Sequence, residues 1–169
     1  MTRAALVVLG LGVSSAGCSD GGDGAANAAA PDGGYAVCPP GLDASFDELR
    51  TRMFATRSCG ADQAHNCHST SGAAAVGTFL DFTLDAGAVY AELLGPDGGG
   101  QPAANVAGDA KVLRVVPHDA GASMLYIKLT LKTAADPHYG AGMPFTAPGS
   151  VCPEALDAVR AWIDQGARP

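Results

Sequence analysis

The sequence predicts a mainly α-helical domain with a minor two-stranded element. Two segments, residues 43–57 and 152–166, carry apolar residues at helical spacing. Two short stretches rich in β-forming residues, 78–84 and 112–116, are the candidate strands. We place the domain at residues 38–169, a length that is sufficient for one hydrophobic core.

The chain begins with the features of an exported protein. Arg3 precedes about ten apolar residues and a run of small residues, which predicts a signal peptide over 1–17. The apolar run is shorter than the ~20 residues of a membrane-spanning helix. The sequence SAGC at 15–18 resembles the bacterial lipobox, which implies that Cys18 is lipidated and becomes the first mature residue. Ser19 resembles the residue that directs lipoproteins to the outer membrane.

A flexible tether is predicted over residues 18–37. Residues 19–34 include no large apolar side chain, so this stretch cannot bury enough surface to offset its chain entropy. Such a tether would hold the domain away from a membrane, facing the periplasm or the cell surface. The net charge of −7 becomes more negative when Arg3 leaves with the signal peptide, and an acidic surface argues against nucleic acid as a partner.

The first predicted helix, over 43–57, leads towards Cys59. Its apolar residues recur at intervals of four, three and four and so form one face. They are Leu42, Phe46, Leu49 and Met53.

The later elements are bounded by capping and breaking residues. Asp85 is the predicted N-cap of a short helix that Gly95 ends. A third helix is predicted over 124–131. The last helix begins with Pro153 in its first turn and ends at Gly166, and its predicted buried face is apolar. That face consists of Leu156, Val159, Trp162 and Ile163.

The choice between the functional interpretations depends on how the cysteines are used. With Cys18 assigned to the lipid, an even number remains, which in an oxidising compartment suggests disulfides unless a cofactor uses the thiols. Cys67-His68 is the end of a c-type haem attachment motif, in which two thiols bind the haem and the histidine binds iron. Seven residues separate Cys59 from Cys67, against two in the usual motif. Haem attachment, a Cys59–Cys67 disulfide and, with His65, a zinc site therefore remain open.

A glycine-rich loop before the last helix contains Met143. The thioether of a methionine is a common second ligand of haem iron, and it raises the reduction potential. The alternative is a methionine that fills a gap in the core. His118 and His138 are alternative second ligands, since imidazole also binds iron.

Several short pieces resemble, in their order along the chain, the planctomycete-type cytochrome c domain. They are CH at 67–68, LDFT at 80–83, VVPHD at 115–119, SMLYIKL at 123–129, GMP at 142–144 and AWIDQGA at 161–167. The resemblance covers about residues 42–167. It implies a cytochrome c-like helical fold with haem c on Cys59 and Cys67, His68 as the proximal iron ligand and Met143 as the distal one.

These observations lead to a membrane-tethered electron carrier of the cell envelope, which exchanges electrons with envelope redox partner proteins. Cys38 and Cys152 flank the domain and are expected to form a disulfide. Because no nucleophile elbow, phosphate loop or zinc-protease motif is present, we do not expect an enzyme. The alternative is a haem-free, disulfide-stapled lipoprotein that acts as a structural or binding module. A third hypothesis is a sensor or enzyme accessory that uses the same fold to bind haem without carrying electrons.

Overall fold

Four helices form most of the regular structure in the computed structural model, which describes residues 39–55, 68, 80–104, 112–145 and 147–169. None of these helices is long and apolar enough to cross a membrane. The prediction of a mainly helical domain is confirmed. The helices are α1 (Phe46–Leu49), which continues as a π-helix over Arg50–Phe54, α2 (Ala86–Leu94), α3 (Met124–Thr130) and α4 (Pro153–Asp164).

The helix boundaries follow local capping chemistry. The first helix begins at Phe46, three residues after the predicted start, because Ser45 is its N-cap and the Ser45 hydroxyl accepts the N–H of Glu48 at 3.4 Å. Asp85 caps α2 as predicted, because its carboxylate accepts the N–H of Ala88 at 2.9 Å. Gly95 ends α2 with a positive φ of 75°, a conformation that glycine adopts without steric cost.

The predicted pair of strands is wrong for the described residues. Residues 80–84 form a turn because the Asp81 carboxylate accepts both the N–H and the hydroxyl of Thr83. The second candidate strand pairs elsewhere, through an isolated antiparallel bridge between Leu113 and Pro102. Local side-chain hydrogen bonds at Asp81 thus override the β-propensity of the neighbouring residues.

Aromatic contacts join α1, α2 and α4 in one core. The ring of Phe46 on α1 stacks on Trp162 of α4 at 5.6 Å and meets Tyr90 of α2 edge-on at 5.3 Å. Trp162 is 2% exposed, and its indole N–H donates to the carbonyl of Arg168 at 2.8 Å. The predicted apolar faces of the first and last helices are therefore the faces that pack together.

The N-terminal predictions concern residues that the structure does not describe. The signal peptide over 1–17, the lipidated Cys18 and the tether over 18–37 lie outside the described part of the chain. They remain predictions from the sequence.

Candidate functional site

An apolar cavity of about 160 Å³ brings together residues that are distant in the sequence. It is lined by the end of the π-helix, by α2 and α3, and by loop residues before α2, α3 and α4. His68 and Met143 both line this cavity. Its large apolar walls are Phe54, Leu80, Phe82, Leu93, Leu125 and Leu129.

His68 is a buried imidazole held in one orientation. His68 is only 7% exposed, and the centroid of its ring lies 5.3 Å from that of the Phe82 ring. Nδ1 lies 3.0 Å from the carbonyl oxygen of Leu80 and, in the tautomer that this contact favours, donates its N–H there. Nε2 then carries the lone pair. A ring whose Nδ1–H is fixed by a backbone carbonyl is the usual arrangement of a metal-binding histidine.

The environment of His68 favours the neutral imidazole. Burial is the largest effect and lowers its pKa below the usual value. The positive charges of Arg114 and Lys128 act in the same direction, whereas the contact with Leu80 and the negative charge of Asp81 oppose them. The neutral ring is the form that can bind a metal ion.

The loop around Met143 is fixed against the end of α3. The Met143 N–H donates to the carbonyl of Lys128 at 2.7 Å, and the Gly142 N–H donates to that of Thr133 at 2.9 Å. A Cβ at Gly142 would overlap the carbonyl oxygen of Leu131, so only glycine allows this approach. The peptide bond between Met143 and Pro144 is cis.

A second thioether belongs to the same cavity. Met124, the first residue of α3, lines it and is 6% exposed. The sequence identified only Met143 as a candidate ligand, because Met143 lies in a glycine-rich loop and Met124 lies in a predicted helix. Two methionines that line the cavity are therefore candidates for a second iron ligand beside His68.

The alternative histidines lie elsewhere. His118 is exposed, has a positive φ of 69°, and its Nδ1 contacts the carbonyl of Asp164 at 3.1 Å. His138 is also exposed, and its ring meets Tyr139 edge-on at 4.6 Å. Neither is among the described residues that line the cavity.

Two cationic side chains that the sequence did not identify as functional also line the cavity. Arg114 and Lys128 are both about half-buried, and burial lowers the pKa of each. Arg114 donates to the carbonyl of Glu92, and Lys128 donates to that of Ala141 at 2.7 Å. The only sequence signal for Lys128 was its place in the SMLYIKL segment, and Arg114 gave none.

The predicted roles of the cysteines remain predictions, because only Cys152 lies among the described residues. Cys152 is disulfide-bonded, and the cysteine that it pairs with lies outside the described residues. Cys38, Cys59 and Cys67, together with His65, also fall outside them, so haem attachment and the zinc alternative are not tested. Within the described ranges, no three His, Cys, Asp or Glu residues form a group that could hold a metal ion.

Comparison of the chain with protein-family models, with curated protein sequences and with solved structures found no match.

Proposed function

We propose that this chain is a membrane-tethered, c-type cytochrome-like electron carrier of the cell envelope. The observation that carries the proposal is that His68 and Met143, which are distant in the sequence, line one apolar cavity. An imidazole nitrogen and a thioether sulfur are the ligand pair that holds haem iron in cytochromes c. The proposal also includes the cytochrome c-like fold, for which the helical architecture is the only structural support.

The described residues fit a haem group in three respects. The Leu80 carbonyl orients the His68 ring, and burial keeps the ring neutral. The aromatic and leucine side chains supply an apolar surface that excludes water. Bound haem would supply a one-electron redox centre, and this chain's residues would hold it and set its potential. No substrate is transformed, so the partners are other redox proteins of the envelope.

The attachment chemistry requires that Cys59 and Cys67 both be free to form thioethers. Cys152 is disulfide-bonded, and we propose Cys38 as its partner because that pairing leaves the other two thiols available. The bridge would fix the start of the domain to the first residue before α4.

The test is the visible absorption spectrum of the full chain, produced in a host with a cytochrome c maturation system and reduced with dithionite. We expect a Soret band with sharp α and β bands that persist after acid-acetone extraction. His68→Ala should abolish the low-spin spectrum. The matched control is His138→Ala, which replaces an exposed histidine that is not among the residues lining the cavity and should leave the spectrum unchanged. A wild-type chain without visible absorption would refute the carrier proposal.

A second candidate is favoured by the same disulfide. If Cys152 pairs with Cys59 or Cys67 instead of Cys38, one thiol of the attachment pair is consumed. The chain would then be a haem-free, disulfide-stapled lipoprotein with a structural or binding role. Peptide mapping of the unreduced protein distinguishes the two pairings directly: a Cys38–Cys152 cross-linked peptide supports the carrier, and a cross-link from Cys152 to Cys59 or Cys67 supports the module.

A further inference from the structure

Three metal-binding side chains line the cavity, and they come from three separate segments. His68 precedes α2, Met124 is the first residue of α3, and Met143 lies in the loop before α4. The haem proposal uses one of the two thioethers and gives the other no role. One imidazole and two thioethers in a single apolar space are a set of metal ligands in their own right.

The backbones that carry these three side chains are fixed, whereas the two thioethers can turn. The contact of His68 Nδ1 with a backbone carbonyl leaves Nε2 with the lone pair. The Met124 N–H donates to the carbonyl of Leu113 at 3.0 Å, and the Met143 N–H donates to that of Lys128 at 2.7 Å. Each methionine side chain has three rotatable bonds, and the cavity of about 160 Å³ gives both sulfurs space to turn towards one ion.

The composition of the lining selects among metal ions. Thioether sulfur is a soft ligand that favours Cu(I), whereas Mg²⁺, Ca²⁺ and Mn²⁺ favour carboxylate oxygen, and no acid lines the cavity among the described residues. Zn²⁺ is held by cysteine, histidine and carboxylate ligands, of which the described lining contains only His68. Arg114 and Lys128 also line the cavity, and a cationic group repels a singly charged ion half as strongly as a divalent one.

We propose that His68, Met124 and Met143 form a Cu(I) site in the haem-free chain. The site goes beyond the proposed function, because the same imidazole and thioether cannot bind haem iron and copper at once. His68 and Met124 are both buried, so copper bound to them is shielded from the water that would supply oxygen ligands to Cu(II). An apolar pocket with neutral soft ligands therefore holds the cuprous ion.

The test is a competition for Cu(I) between the haem-free full chain and bicinchoninate, which forms a coloured Cu(I) complex. The chain is produced without a cytochrome c maturation system, and ascorbate under nitrogen keeps the copper reduced. Because cysteine thiolates also bind Cu(I), free thiols are first capped as mixed disulfides with methyl methanethiosulfonate. We expect the chain to withdraw one equivalent of Cu(I) from the coloured complex. Calorimetry with Zn²⁺ should show no binding that Met124→Leu weakens.

Variants locate the copper at the three side chains. Met124→Leu, Met143→Leu and His68→Gln should each lower the Cu(I) affinity by about tenfold or more, since even loss of an outer partner of a metal ligand costs about 10–100-fold. Met53→Leu is the matched control, because Met53 is a fully buried methionine that is not among the described residues lining the cavity. Exchange of methionine for leucine nearly conserves volume, and the urea midpoint checks that each variant stays folded.

A wild-type chain that does not compete for Cu(I) would overturn the inference, and so would a Met124→Leu or Met143→Leu variant that binds as tightly as Met53→Leu. Met124 separates this outcome from the carrier proposal, in which it is not the haem ligand. A chain that binds Cu(I) through Met124 but never acquires haem would support the copper site and refute the carrier. A chain that acquires haem, but whose haem-free form leaves Cu(I) with bicinchoninate, would do the reverse.

Discussion

Replacing Gly142 by alanine is the sharpest test of how the Met143 loop is held. Gly142 does not lie in the left-handed region of φ, so the expected cost of the substitution comes from the steric contacts of the added Cβ. The added Cβ would overlap the Leu131 carbonyl oxygen and lie 3.0 Å from the Leu131 Cβ. Both atoms belong to backbone or to its first carbon, so no rotamer change can relieve the contact.

The expected loss of stability has two sources, the steric overlap and the hydrogen bonds of the loop. Overpacking of this kind costs about 1–3 kcal/mol. Displacing the loop also weakens the hydrogen bonds from Gly142 to Thr133 and from Met143 to Lys128, each of about 1 kcal/mol. We expect Gly142→Ala to lower the free energy of unfolding by about 2–4 kcal/mol, and to move Met143 away from the cavity.

Urea denaturation followed by the fluorescence of Trp162, the only tryptophan in the chain, measures this change. With an m-value of about 2 kcal/mol/M, the midpoint should fall by about 1–2 M. Gly99→Ala is the matched control, because a Cβ there meets no atom within 4 Å and φ is not positive. If the free energies of unfolding of the two variants differ by less than about 0.5 kcal/mol, the loop does not pack closely on the end of α3.

Three further outcomes are expected. In the haem-loaded protein, Met143→Leu should change the free energy of unfolding by less than about 1.5 kcal/mol but should lower the reduction potential in a redox titration. Met124→Leu, in the same cavity, should leave the reduction potential unchanged. If only Met124→Leu lowers the potential, Met124 is the ligand. In the haem-free protein, burial lowers the pKa of His68, so the unfolded chain binds a proton at this histidine more readily than the folded chain does. The free energy of unfolding should therefore be highest above pH 6.5 and should fall as the pH decreases towards the lower pKa of the folded state. The slope is at most about 1.4 kcal/mol per pH unit. Urea midpoints across that range should lose this slope in His68→Gln, and an unchanged slope would contradict the burial of the ring. Removing the cap of α2 by Asp85→Ala should cost about 1 kcal/mol in the same assay, while the exposed Asp97→Ala should cost less than half of that, and equal losses would argue against the cap.

The sequence could predict the elements whose signals are local. Asp85 and Gly95 bound α2 because a carboxylate cap and a glycine with positive φ act within one turn. The sequence also predicts the apolar face of α4, since apolar residues recur there at the helical period. The strand prediction failed at residues 80–84 because β-propensity does not register the hydrogen bonds that Asp81 makes to Thr83.

By itself the sequence determined a mainly helical domain and named His68 and Met143 as candidates, because helical periodicity and ligand chemistry are properties of residue types. Only the tertiary structure decided that these two side chains share a cavity and that His118 and His138 do not. It also added Met124, Arg114 and Lys128 to that cavity. The physical reason is that a cavity is made by segments distant in the chain, whose packing brings together side chains that no local pattern relates.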